Sequence, residues 1–183
     1  MIVVAQLWAV DVPGLWCPPD TDLLQVLWCP TDHSQDHGTS PIVRLVWRRH
    51  EPSHPLADPP QGVVDDENYV PKQCVLAPEQ FTEFPDELPD DLAKELEDAD
   101  TDVDVTLYPI TVGSKCGGWP RWVYHDGLPT TCDTCGAEMR LLLTIDTCED
   151  DDIGPSGIVV GRWSNLHFFV CTTCPGHPVR LFM

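Results

Sequence analysis

Two Cys-x2-Cys pairs, Cys132–Cys135 and Cys171–Cys174, constrain this chain more than any other feature. Two such turns deliver four thiolates as opposed knuckles, and a tetrahedral ion such as zinc takes four soft or borderline ligands in that arrangement. The 35 residues between Cys135 and Cys171 exceed the usual zinc-ribbon spacing. An acidic loop over 146–157 and a strand over 157–163 account for the excess without moving the knuckles. Gly136 follows the first pair and Pro175-Gly176 the second, both suited to tight turns. The reading is one structural zinc ion (Zn) per chain, held by Cys132, Cys135, Cys171 and Cys174. Four protein thiolates fill the coordination sphere, whereas a catalytic zinc keeps one position open. Cys171-x2-Cys174-x2-His177 leaves open an exchange of His177 for Cys174.

Nine cysteines cannot all pair internally, and metal ligation suits a reducing compartment. The net charge of −20, from 30 acids against 10 bases, excludes nucleic acid as a ligand, because phosphate binding needs Lys and Arg to displace counterions. An acidic surface attracts basic proteins and speeds their encounter. The apolar start, Met1 to Val10, lacks a basic flank and a small-residue cleavage site, and Asp11 and Pro13 follow at once. It reads as a buried strand, and no stretch is long and apolar enough to span a membrane. The expected location is cytoplasmic.

Short strands dominate the pattern. The apolar runs 1–10 and 22–29 suit central strands. In 41–48, Val43, Leu45 and Trp47 alternate with Arg44 and Arg48, and Val103, Val105 and Leu107 alternate with polar neighbours. Further strands are predicted at 139–146, 157–163, 165–171 and 178–183. One helix is predicted after Pro89, with Asp90 and Asp91 in its first turn and Leu88, Leu92 and Leu96 on one face. Eight prolines from Pro52 to Pro89 exclude long regular elements from the middle of the chain. Acids concentrate between Glu83 and Asp104 and again from Glu149 to Asp152.

The chain also repeats itself. Met1-Ile-Val-Val-Ala-Gln-Leu, Leu24-Gln-Val-Leu-Trp-Cys29-Pro and Pro41-Ile-Val-Arg-Leu-Val recur in order as Met139-Arg-Leu-Leu-Leu-Thr-Ile, Leu166-His-Phe-Phe-Val-Cys171 and Pro178-Val-Arg-Leu-Phe. A Leu precedes the Cys by the same spacing in both copies. Only the second copy has a preface, Gly117-Gly118-Trp119-Pro120-Arg121-Trp122 and then the first Cys-x2-Cys. The expected fold is therefore α+β, mainly antiparallel β, with two related sheets from an internal duplication whose first copy is incomplete. A zinc-ribbon-like four-cysteine site belongs to the second. The parts are a first lobe at 1–48, a proline-rich acidic connecting segment with one short helix at 49–102, and a second lobe at 103–183.

Weaker constellations count for less. Cys29, His33 and His37, with Cys17 upstream, lack a second Cys-x2-Cys to complete a metal site. Cys74, Cys116 and Cys148 read as packing or incidental thiols. Neither a Ser/His/Asp triad, nor a phosphate loop, nor a pair of catalytic carboxylates in a recognisable context occurs, so the chain reads as no enzyme.

The set formed by Gly117-Gly118-Trp119-Pro120, Cys132-x2-Cys135-Gly136, Met139-Arg-Leu-Leu-Leu and Phe168-Phe-Val-Cys171-x2-Cys174 resembles the bacterial YwqG-like family of unknown function. It is more distantly similar to the eukaryotic programmed cell death 2 family. Ala5-Gln6-Leu7 and Asp22-Leu-Leu-Gln-Val-Leu fit the first half of the same pattern. The resemblance implies an α+β fold with two related antiparallel sheets. It also implies a dedicated chaperone role for a small-subunit ribosomal protein in the eukaryotic relatives, and a toxin–immunity setting for the bacterial ones. The leading expectation is a zinc-stabilised acidic binding module that holds a basic protein partner in a chaperone-like way. Trp119 and Trp122 would form its apolar floor, and Asp150, Asp151 and Asp152 part of its acidic rim. The alternative is an immunity-type inhibitor that binds a toxin, and a metal-dependent hydrolase ranks last.

Overall fold

The computed structural model describes residues 1–31, 41–49, 63–85, 88, 90–98, 109–123, 127–149 and 152–183. Most of their regular structure is antiparallel sheet. The first sheet has the order β1-β2-β3, from β1 (Ile2–Trp8), β2 (Leu23–Trp28) and β3 (Val43–Arg48). The second has the order β4-β5-β8-β9, from β4 (Lys115–Cys116), β5 (Arg140–Asp146), β8 (Asn165–Val170) and β9 (Val179–Phe182). A small ribbon, β6 (Cys148–Glu149) with β7 (Asp152–Ile153), projects from the β5–β8 connection. The predicted helix is present as α1 (Asp90–Asp98), with Asp90 and Asp91 in its first turn, where the helix dipole favours acids. No helix among the described residues is long and apolar enough to cross a membrane.

Alternating burial along β2 sets which faces meet. Leu24, Val26 and Trp28 of β2 are fully buried, and they share one core with Leu166, Phe168 and Val170 of β8 and with Leu142, Leu143 and Ile145 of β5. The inner faces of the two sheets thus supply the main core, as aligned sheets do. Strand β8 is buried along its whole length because its outer face is covered as well. There Met139, Leu141, Phe169 and the cysteines form a second, smaller core with Trp122 and Phe182 against it. The first sheet carries no such layer among the described residues. Its outer face shows Gln25 bonded to Gln6 at 2.8 Å and Arg48 bonded to Gln25 at 2.8 Å, a polar ladder across three strands.

The two sheets share their pairing rung by rung. Ile2, Trp28 and Val43 form one rung, and Arg140, Val170 and Val179 form its counterpart. The ladder shifts between Val3 and Ala5 in β1, and between Leu141 and Leu143 in β5, so a bulge falls on Val4 and on Leu142 alike. Past the bulge, Gln6–Gln25–Val46 matches Thr144–His167–Phe182. Beyond the strand ends, Cys29 N–H donates to Ile42 O at 2.9 Å, as Cys171 N–H donates to Pro178 O at 3.0 Å. Ile42 therefore stands opposite Pro178, which moves the sequence match of Pro41 with Pro178 by one residue.

Two expectations need correction. Strand β1, read as a buried central strand, is an edge strand with Val3 49% exposed. Residues 157–163 form no strand: Gly157 and Gly161 turn with positive φ, and only an isolated bridge joins Val160 to Ser164. Val160 is nonetheless fully buried, because Thr147 Oγ1 accepts its N–H at 2.8 Å and so replaces a ladder partner. Glu83, the first acid of the 83–104 concentration, is drawn inside. Its carboxylate accepts from Lys115 Nζ at 2.7 Å, Thr111 N–H at 2.8 Å and Trp119 N–H at 2.8 Å. The predicted strand around Val103–Leu107 lies outside the described residues.

Residues 63–85 hydrogen-bond to both sheets in turn. Asp65 N–H donates to Pro30 O, and Trp28 Nε1 donates to Tyr69 O at 2.7 Å. On the other side, the β7–β8 connection is held as Val159 N–H donates to Asn68 O and Lys72 N–H donates to Ser156 O, and Glu83 reaches Lys115 of β4.

The Glu83 clasp makes an acid-side prediction. Burial alone would raise its pKa, but the Lys115 hydrogen bond and the two backbone donors outweigh that and hold it below the usual 4.5. Lys115, by contrast, is pulled down chiefly by burial despite the same partner, so the pair is worth less than its short distance suggests. A depressed carboxylate contributes stability that is present above its unfolded pKa and lost as pH falls through the folded one. Glu83→Ala, which orphans Lys115 and two N–H groups, should cost about 2 kcal/mol at neutral pH. Its difference from wild type should shrink below about pH 4.5. Urea titrations at both pH values measure this, and equal stability at neutral pH would show that the clasp is idle.

Candidate metal centre

The centre is built on two pieces of chain at the end of the β5–β8 pair. The first knuckle is a turn in which Cys132 N–H donates to Ala137 O and Gly136 N–H donates to Cys132 O, both at 2.8 Å. Gly136 takes φ of 70°, a conformation that side chains resist. The second knuckle leaves β8 directly. Cys174 N–H points to Cys171 Sγ at 3.3 Å, and Gly176 (φ 88°) and His177 (φ 48°) turn the chain into β9.

These turns bring the four sulfurs together, all within 4.8 Å of one another. Cys132 Sγ lies 3.9 Å from Cys174 Sγ, and Cys135 Sγ lies 3.7 Å from Cys171 Sγ. A tetrahedral ion with metal–sulfur bonds near 2.3 Å would set neighbouring sulfurs roughly 3.8 Å apart, so the four thiols fit a metal ion. Cys132, Cys171 and Cys174 are buried and Cys135 is exposed. The backbone N–H groups of Cys135 and Thr134 hold the Cys132 thiol down at about 6. Cys174, hydrogen-bonded to Cys135 and desolvated, is pushed up to about 12.

His177 stands outside this set. Its Nδ1 lies 3.1 Å from Cys171 O, which can only accept, so Nδ1 carries the proton. Its ring packs edge-on against Trp16 at 4.9 Å, and Trp16 meets Trp47 at 5.6 Å, linking the knuckle to the first sheet. The Cys29–His33–His37 alternative cannot be assembled from described residues, since His33 and His37 lie outside them. Cys116 is a core thiol pushed up to about 11 by burial, then by nearby Cys17.

Beside the centre opens a groove of about 420 Å³, lined by Trp119, Pro120, Trp122, Leu128, Met139 and Leu141 among others. Trp119 is 42% exposed, whereas Trp122 is half-buried and stacks parallel to Phe169 at 6.1 Å. Gly118 (φ 71°) adjoins the Glu83 carboxylate so closely that any side chain there would collide with it. Trp119 therefore projects from a fixed backbone. Asp152 is exposed on β7, while Asp150 and Asp151 lie outside the described residues.

Sequence reasoning missed the polar support beneath the groove. Fully buried His167 meets Thr144 Oγ1 through Nδ1 at 2.9 Å and Arg121 O through Nε2 at 3.1 Å. Burial lowers its pKa and keeps the ring neutral, so Nε2–H donates to the carbonyl and Nδ1 accepts from the hydroxyl. Asn165 Nδ2 donates to the same carbonyl at 3.0 Å, and Asp146 pairs with Arg121 at 3.5 Å. The uninterrupted apolar setting of Leu166-His167-Phe168 was the available signal that this histidine is internal. Compared with protein-family models, curated proteins and solved structures, the chain matches none.

Proposed function

We propose that this protein is a zinc-stabilised binding module that holds a basic protein partner. The carrying observation is the groove walled by exposed Trp119, set on a chain with a net charge of −20 beside a four-thiol cluster. Zinc suits four thiolates because it has no geometric preference against a tetrahedron and no redox chemistry of its own. Such an ion is coordinatively closed, so its role is to fix the groove's outer wall and not to activate water. The shared rungs and bulge support an origin of the two sheets by duplication. The Gly-Gly-Trp-Pro and cysteine motifs support membership of the YwqG-like family.

The test uses a salt series and charge removal. Each exposed ion pair contributes only ~0.2–1 kcal/mol, so affinity for a basic partner comes from many acids acting over an apolar floor. Changing Glu149 to Gln and Asp150, Asp151 and Asp152 to Asn should slow association with polylysine roughly tenfold at low salt, without moving the melting temperature. Physiological salt should reduce the difference. Association indifferent to salt and to these changes would remove the basic-partner reading. Tight, salt-insensitive capture of one folded protein would replace it with an inhibitor.

A further inference from the structure

The two sheets match rung for rung, yet their outer faces fare differently. In the second sheet the rung Leu141–Phe169–Arg180 lies under a roof. Trp122 stacks on Phe169 and meets Phe182 edge-on at 5.8 Å. Arg180 holds the first knuckle, donating to Thr131 O at 2.9 Å and Asp133 Oδ1 at 3.3 Å. The matching rung of the first sheet is Val3–Leu27–Arg44, and past the bulge Val46 stands where Phe182 does. Leu141 is 4% exposed, whereas its counterpart Val3 is 49% exposed. Val3, Leu27 and Val46 take no part in the main core, and exposed Arg44 has no partner among the described residues. A face that is roofed in one sheet is open in its twin, with an arginine in the same place on both.

We propose that the outer face of the first sheet is a docking surface for a partner segment that carries an aromatic side chain beside an acid. This surface lies on the other sheet from the groove and is independent of the basic-partner reading. The second sheet shows what a roof needs there: a ring set over the middle strand and an acceptor for the arginine. Leu27 and Val46 offer the seat for such a ring, with Val3 beside them, and aromatic anchors dominate contacts of this kind. Gln25, bonded to Gln6 and to Arg48, fixes the polar part of the floor. Arg44 offers a free guanidinium, which takes a carboxylate through two parallel hydrogen bonds. Arg48 stands on the same face four residues along, and the strand positions of this face hold no acid. The local sign is therefore opposite to that of the chain as a whole. Charges farther off than about 8 Å are largely screened at physiological salt, so the two arginines decide the preference at contact. A second copy laid face to face would set these arginines against their own images, which disfavours self-association here.

The probe is a short peptide alternating glutamate and tryptophan, added to the full chain at physiological salt. The methyl resonances of Leu27 and Val46 should shift, while those of Leu141 and Leu142 stay in place. Arg44→Gln should weaken binding roughly tenfold, and a peptide with glutamine for glutamate should bind wild type and Arg44→Gln equally. Val3→Asp should weaken binding several-fold. Both substitutions replace exposed side chains, so the melting temperature should not move. Binding indifferent to Arg44→Gln, or shifts confined to the groove around Trp119, would overturn the docking surface and leave the basic-partner reading untouched. No methyl shift up to about 1 mM peptide would overturn it too. A dimer in sedimentation that Val3→Asp dissolves would give the face to a second copy, and so would also overturn it.

Discussion

Removing the metal with a strong chelator, or changing Cys171 to Ser, should lower the melting temperature by about 10 °C or more. Structural zinc supplies folding free energy directly, of the order of 10 kcal/mol in small zinc domains. Here the main core between the sheets contains none of the four cysteines, so roughly 3–5 kcal/mol is the expected share, at about 2–4 °C for each. The loss should fall on the outer layer. Cys132, Cys171 and Cys174 pack with Met139, Leu141 and Phe169, and four thiols with no cation repel as they ionise. Arg121 reports the change, since its carbonyl is held by Asn165 and His167 beneath Trp122. Trypsin should cut after Arg121 in the metal-free protein and spare it in the loaded one. Elemental analysis should find about one zinc per chain. A Cys171→Ser protein with full thermal stability, alongside wild type that carries no metal, would defeat the assignment.

The second large effect belongs to Trp28, the largest fully buried side chain. Its ring fills the main core and packs edge-on to Tyr69 at 5.8 Å, while its N–H holds Tyr69 O. Trp28→Ala should cost about 3–5 kcal/mol through the cavity it leaves. Trp28→Phe keeps most of the apolar volume but removes the N–H that Tyr69 O accepts, at about 1 kcal/mol. Urea midpoints separate the two, provided that the slopes agree. Should the alanine variant lose less than about 1 kcal/mol, the core is not organised around this ring.

The strands and the cysteine cluster were legible in the sequence because each rests on a local rule. An apolar run marks β2, alternation marks β3, and Cys-x2-Cys spacing marks a knuckle whatever the rest of the chain does. The shared rungs were legible as matched Val-Arg-Leu and Leu-to-Cys spacings, though not the bulge at Val4 and Leu142, which no residue type announces. Three things needed coordinates. Residues 157–163 look like a strand by composition, yet the Thr147 hydroxyl takes the place of a ladder. Glu83 resembles its acidic neighbours, and only the distant Lys115, Thr111 and Trp119 draw it inward. The partners of His167 lie far away in sequence, and only the Thr144 hydroxyl and the Arg121 carbonyl show how a histidine is held inside.

The way residues 63–85 bind first one sheet and then the other bears on how the molecule comes apart. A tether between lobes would let each melt on its own and would matter only through its length. This segment instead shares hydrogen bonds with Pro30 and Trp28 on one side and with Ser156, Val159 and Lys115 on the other. Opening either sheet strips partners from the same stretch of chain, so the two losses are coupled. The halves should therefore show one shared midpoint, and denaturant should meet one cooperative unit assembled from two look-alike sheets.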